Sequence, residues 1–124
     1  MGYNNFMNIK IKTTALTLTP AISEYIEKRL SSIKKFFQND TTSKCDIELA
    51  KTSRHHKQGE IFRAEVHIIA KGVNFYASAE KEDLYMAIDT VRDEVLREVK
   101  TSNEKRRSLA RHGGAEIKNI IKGL

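Results

Sequence analysis

The stretch DLYMAIDTVRDEVLREVK, from Asp83 to Lys100, carries an apolar side chain at every third or fourth position. These apolar residues are Leu84, Ile88, Val91, Val95 and Val99. A helix turns about 100° per residue, so they fall on one face, while most of the charged residues fall on the others. The stretch therefore predicts an amphipathic helix that packs one face against a sheet, and Asp83 suits its N-terminus.

A second helix is predicted upstream, in the stretch LTLTPAISEYIEKRLSSIKKFF over residues 16–37. Thr19 can cap the helix, and Pro20 fits the first helical position because its missing N–H has no partner there in any case. One apolar stripe follows, made of Ile22, Ile26, Leu30, Ile33 and Phe37. This helix therefore also has one face to bury.

Apolar and polar residues alternate in four further segments, which predicts four half-buried strands. Their inward residues are Ile9 and Ile11; Cys45, Ile47 and Leu49; Phe62, Ala64, Val66, Ile68 and Ala70; and Phe75, Ala77 and Ala79. A short turn around Gly72 joins the last two strands.

The predicted element order is β-α-β-β-β-α, an α+β fold. A helix between the first two strands permits a parallel pair, and the shorter connections make the other pairs antiparallel. Because each helix has one apolar stripe, we expect both to lie on one face of a four-stranded mixed sheet. The opposite face of the sheet is then exposed to solvent.

The composition is that of one soluble domain. The chain has 124 residues, a formal net charge of +6 and a pI near 9.5. Cys45 is the one cysteine, so it cannot form an internal disulfide, and no stretch is apolar enough for a signal peptide or a membrane helix. We expect a cytoplasmic protein with no membrane partner, and the positive charge favours an anionic one.

Three segments are predicted along the chain. Residues 1–6 are an expression scar or an upstream extension, and residues 7–107 form the α+β domain. Residues 108–124 form a C-terminal tail, since Gly113 and Gly114 are expected to break a continuous helix. The alternatives for this tail are a short amphipathic turn, docking on the domain and disorder.

No catalytic or metal-binding motif is found in this sequence. It lacks a phosphate-binding glycine loop, a nucleophile elbow and a His-rich metal motif. His55 and His56 are adjacent, with no cysteine or carboxylate at metal-ligand spacing. We therefore expect a protein that is not an enzyme and that uses no cofactor, metal or small-molecule substrate.

Cations are concentrated on the outer faces of both helices and after the second. Acidic residues precede them in each helix, as the helix dipole and i,i+4 pairing favour, so a solvated charged face explains part of the pattern. It explains less well the cluster of Lys105, Arg106, Arg107 and Arg111, which only Glu104 opposes. The pattern favours a basic surface that follows a phosphate backbone.

Two segments resemble the ribosome hibernation promoting factor family, which includes the ribosome-associated inhibitor called factor Y. They are FYASAEKEDLYMAIDTVRDEVLREV over residues 75–99 and MNIKIKTTALTLTPAISEYIEKRLSSIKKFF over residues 7–37. With the element order, the resemblance extends from Met7 to about Arg107. It implies a fold close to that of the double-stranded RNA-binding domain.

The resemblance also implies a function and a partner. Members of this bacterial family bind the small ribosomal subunit and its rRNA near the decoding centre, in the channel for messenger and transfer RNA. They inhibit translation in stationary phase or stress. The length predicts a short member, either the hibernation factor that works with a separate ribosome modulation factor or the inhibitor that holds inactive monomers.

Site residues are carried over by position from the family. On and before the helices, the resemblance implies RNA contacts from Lys28, Arg29, Lys34, Lys35, Lys81, Arg92, Arg97, Lys100, Lys105 and Arg106. Arg54 and His55 lie in a loop expected to reach the same RNA. Two other functions are compatible with the residues alone: a general double-stranded RNA-binding module, and a protein-interaction domain whose charged helices are merely solvated.

Overall fold

The computed structural model describes residues 7–38, 40–52, 59–70 and 72–122, and for residues 110–122 it describes the backbone alone. The elements are β1 (Asn8–Thr14), α1 (Pro20–Lys34), a 3-10 turn (Lys35–Phe37), β2 (Lys44–Thr52), β3 (Ile61–Ala70), β4 (Val73–Lys81) and α2 (Leu84–Lys122). This order is the predicted one.

The four strands form one mixed sheet in the order β1-β2-β3-β4. β1 pairs with β2 in parallel, with Ile9 opposite Cys45, and the two remaining pairs are antiparallel. Gly72 lies in the β3–β4 connection with a φ of +76°, a conformation that glycine adopts without a steric penalty. The predicted sheet is therefore confirmed in both composition and strand direction.

One hydrophobic core lies between the sheet and the two helices. Its strand residues alternate as predicted, with Ile47, Val66 and Ala77 side by side on adjacent strands and all buried. The predicted stripes of α1 and α2 are in the same cluster, and α1 contacts α2 directly. The helices therefore share one face of the sheet, as expected.

Local capping fixes where α1 begins. The backbone N–H of Ile22 donates to Thr19 Oγ1 at 3.2 Å, and Pro20 occupies the first helical position. The predicted start of this helix is thus confirmed. Its last apolar residue, Phe37, is buried in the 3-10 turn that follows α1.

The predicted helix break at Gly113 and Gly114 is wrong, because α2 continues without interruption to Lys122. A glycine in a helix costs about 1 kcal/mol relative to alanine, but it does not remove a backbone hydrogen bond as proline does. Residues 108–122, predicted as a separate tail, therefore continue α2. At about 1.5 Å per residue the helix extends roughly 35 Å beyond Val99, the last buried residue among its described side chains.

Candidate nucleic-acid interface

The two helices lie side by side and run in the same direction. The rings of Tyr25 and Tyr85 pack edge to face with centroids 4.8 Å apart, and Arg29 binds Asp89 one turn further along both helices. Because both contacts join positions sixty residues apart, the helices are parallel and in register. Their outer surfaces therefore form one continuous face of the domain, opposite to the open face of the sheet.

Three of the predicted lysines project from this face. Lys28 on α1, Lys35 in the 3-10 turn and Lys100 on α2 are all exposed. None of the three is in an ion pair within the described part of the chain. Their charges are therefore available to an anionic partner.

Arg29 lies at the seam between the helices. Its Nε donates to Asp89 Oδ1 at 2.7 Å, and the Tyr25 hydroxyl donates to the same oxygen at 2.7 Å. The hydrogen bond from Arg29, reinforced by that from Tyr25, lowers the pKa of Asp89. The hydrogen bond to Asp89, together with desolvation, raises the pKa of Tyr25. The carboxylate and the neutral phenol are thus the favoured forms.

Arg92 borders the same seam. Its charge helps to lower the pKa of Asp89, which places the guanidinium near that carboxylate. Its side chain is 18% exposed, and its Nε lies 2.9 Å from a carboxylate oxygen of Asp93. The Nε nevertheless has no partner with hydrogen-bond geometry, so we regard the contact with Asp93 as an ion pair alone.

The helical surface, as we define it, comprises the outward and seam cations of the two helices and the 3-10 turn, together with Arg106 beyond the packed part of α2. Its members are Lys28, Arg29, Lys35, Arg92, Lys100 and Arg106. Arg106 is exposed and lies past the packed part of α2, where it borders a small hollow lined by Phe36, Phe37 and Phe75. The surface therefore follows both helices from the seam toward the far end of α1.

Four other predicted cations lie apart from the helical surface. Lys34 is 3.3 Å from Glu27, and its charge acts on the buried Cys45, which places it on the β2 flank of α1. Lys81 ends β4 opposite Phe62, before α2 begins. Arg97 and Lys105 border a groove of about 560 Å³ between α2 and the first residues of β4. The predicted cations therefore do not all lie on one continuous surface.

Two predicted RNA contacts, Arg54 and His55, lie outside the described residues. Their role stays a prediction.

The open face of the sheet carries both signs of charge. Glu48 and Glu65 lie opposite each other, with Glu65 paired to Arg63 and Lys12 in register with Glu48. Tyr76, half exposed at 51%, lies edge-on to His67 on this face. Because acids are mixed with the cations on it, this face is less suited to a phosphate backbone than the helical surface.

Sequence reasoning missed the interaction of Tyr25 and Arg29 with Asp89. A pattern within one helix cannot identify a partner sixty residues away. One feature of the sequence could have indicated the contact: Arg29 and Asp89 each border the apolar stripe of their own helix, where a neighbouring helix would pack.

The described residues contain no group of three or more histidines, cysteines or carboxylates arranged to hold a metal ion. Nor is any helix in the described residues long and apolar enough to cross a membrane.

Comparison with known proteins identifies one family. The profile described as "Sigma 54 modulation protein / S30EA ribosomal protein" matches residues 9–107. This match covers most of β1, the whole of α1 and of the other three strands, and the part of α2 that packs on the sheet. It therefore includes every member of the helical surface.

Individual relatives share sequence with most of this chain. A ribosome hibernation promotion factor from Picosynechococcus is 30% identical over 99 residues, or 80% of this chain and 50% of that protein. A ribosome hibernation promoting factor from Azotobacter vinelandii is 28% identical over 80% of this chain and 85% of its own length. This chain thus spans half the length of the first relative and most of the second.

Among solved structures, the N-terminal domain of Thermus thermophilus Protein Y superposes with a TM-score of 0.64 and 27% identity. The superposition covers 76% of this chain and 97% of that domain. The predicted likeness to the double-stranded RNA-binding domain is not addressed by these matches and stays a prediction.

Proposed function

Because the chain belongs to the family of the sigma 54 modulation protein and S30EA ribosomal protein, we propose that it is a ribosome hibernation factor. In this proposal it binds the rRNA of the small ribosomal subunit near the decoding centre, occupies the channel for messenger and transfer RNA, and keeps ribosomes inactive in stationary phase or stress. The names of the relatives support the assignment to ribosome hibernation.

One structural observation supports the RNA surface in particular. Two parallel helices, held in register, present Lys28, Lys35 and Lys100 without ion-pair partners in the described chain. Lysine and arginine that neutralise phosphates release condensed counterions, which supplies much of the affinity for nucleic acid. Because the lysines project from a rigid packed layer, the surface matches a folded RNA of defined shape better than a flexible strand.

The mechanism needs no covalent step. A compact domain that occupies the channel excludes other ligands simply by volume, and its residence depends on the phosphate contacts. Arg97 and Lys105, beside the β4 groove, would add contacts on one flank, and Lys34 and Lys81 would reach RNA only at the periphery. Arg54 and His55 belong to the same proposal as predicted contacts from the β2–β3 connection.

The experiment is sedimentation of the purified chain with small subunits, monosomes and ribosome dimers through sucrose gradients at several salt concentrations. We expect co-migration with small subunits and monosomes, and a logarithmic affinity that falls linearly with the logarithm of salt concentration. The slope should be about 0.7 to 0.9 per phosphate contact. A dimer peak that appears on adding the protein would mean that it pairs ribosomes without another factor.

A long RNA duplex is the matched competitor. A ribosome-specific surface predicts that excess duplex displaces little protein, whereas a general double-stranded RNA module would be displaced completely. Absence of the folded protein from every ribosomal fraction at moderate salt would overturn the proposal and favour a protein-interaction domain with solvated helices.

A further inference from the structure

A hydrogen-bonded polar cluster lies at the seam of the two helices. Asp89 Oδ1 accepts hydrogen bonds from Tyr25 and from Arg29 Nε, each at 2.7 Å. The Arg29 Cζ lies 5.4 Å from the centroid of the Tyr25 ring, which itself packs against Tyr85. The guanidinium is thus held by a carboxylate at one edge and bordered by an aromatic ring.

This arrangement leaves part of the guanidinium unused. Within the described chain, Arg29 donates to Asp89 through Nε and also interacts with the Tyr25 hydroxyl. A guanidinium has five N–H donors, so most of those on the two Nη atoms remain for another partner. The side chain is 37% exposed and lies at the seam beside the exposed Lys28. The Nη end of the guanidinium is therefore accessible on the face that we propose for RNA.

A purely stabilising role accounts poorly for the cluster. The Arg29–Asp89 pair is about one-third exposed at both partners, and ion pairs of such exposure contribute little to stability. An acidic residue on an RNA-binding face would also repel phosphate. Here that cost is reduced, since Arg29 and Arg92 both act on Asp89. With Asp93, the ion-pair partner of Arg92, the group has no net negative charge.

We propose that Asp89 and Tyr25 are positioning residues that hold the Arg29 guanidinium so that its Nη groups bind one phosphate of the RNA backbone. The inference rests on the function proposed above and extends it to two residues that carry no positive charge. A guanidinium fixed before binding loses less conformational freedom on contact, and its planar fork suits two oxygens of one phosphate. Arg29 would thus bind more strongly than an unconstrained arginine.

The test is a double-mutant cycle with Arg29→Lys, Asp89→Asn and the combined variant, with the dissociation constant for small ribosomal subunits as the readout. We expect Asp89→Asn to weaken binding about fivefold, in the usual range for coupled neighbours. We expect the same change to have little effect once Arg29 is lysine. Because Asp89→Asn removes a negative charge, a merely electrostatic role predicts the opposite sign, tighter binding.

Tyr25→Phe provides a second and milder variant, because it keeps the ring and every charge and removes one hydroxyl. We expect it to weaken binding two- to threefold with Arg29 present and to have no effect in the Arg29→Lys background. Thermal unfolding of each variant shows whether the fold is kept, and Tyr25→Phe decides the question if Asp89→Asn unfolds.

The outcomes separate the two proposals. If the wild-type chain does not bind small subunits at all, the proposed function fails. If the wild type binds, but Asp89→Asn binds equally or more tightly, or its loss simply adds to that of Arg29→Lys, the positioning role alone is overturned.

Discussion

Asp83 caps α2 through Tyr85: its Oδ1 accepts the backbone N–H of Tyr85 at 2.8 Å, and its carbonyl accepts that of Ala87 at 3.0 Å. We expect Asp83→Ala to lower the free energy of unfolding by about 1 kcal/mol, because an N–H of the first turn loses its acceptor. Asp83→Asn should retain most of it. Urea unfolding followed by circular dichroism measures both. The neighbouring exposed Glu82→Ala is the control, and an equal loss there would contradict the capping role.

Charge reversal separates the two faces of the domain. The triple variant Lys28→Glu, Lys35→Glu and Lys100→Glu should abolish binding to small subunits at moderate salt, with little change in Tm because all three side chains are exposed. Its matched control reverses Lys10, Lys12 and Lys44, three exposed lysines on the open face of the sheet. Equal losses in the two triples would mean that net charge, and not the helical surface, determines binding. Sedimentation at fixed salt makes the comparison.

Cys45 reports on opening of the core. Its side chain is fully buried, and burial, reinforced by the nearby Asp46, raises the pKa of the thiol to about 12. At pH 8 we expect the native thiol to react with a disulfide reagent far more slowly than the unfolded chain, since the thiolate is the reactive form. The rate should rise with urea in parallel with unfolding. Native labelling as fast as in the unfolded chain would show that β2 opens locally.

The Arg29–Asp89 pair predicts a pH dependence at acidic pH. The pKa of Asp89 is lowered in the folded chain from the ordinary value of 3.8, so its contribution to stability is fully present above about pH 5. It is lost as the pH falls through the folded value, when the carboxylate that Arg29 binds is protonated. The difference in unfolding free energy between the wild type and Asp89→Asn should therefore shrink as the pH falls from about 5 to below the pKa of Asp89 in the folded chain. If the difference in unfolding free energy is unchanged at low pH, ionised Asp89 does not contribute to stability in this way.

Most of the fold could be predicted from the sequence, because the relevant information is local. The alternation around Ile47 and Val66 and the three-to-four spacing of Leu84 and Ile88 each repeat within a few residues. The cap at Thr19 also lies within one turn of the group that it binds. The continuity of α2 past Gly113 was not predictable in this way, because the cost of glycine is too small to decide alone whether a helix ends.

For the candidate site, the sequence predicted which cations the helices carry but not how these cations are arranged in space. The sequence by itself determined that two amphipathic helices with basic outer faces pack on one side of a mixed sheet. The spacing of the apolar residues and the positions of the charges can both be read within each helix and strand. Only the tertiary structure decided that the helices are parallel, that Arg29 binds Asp89, and that Lys34 lies on the other flank of α1. These relations depend on how the two apolar stripes pack against the sheet, and therefore on contacts between residues far apart in the chain.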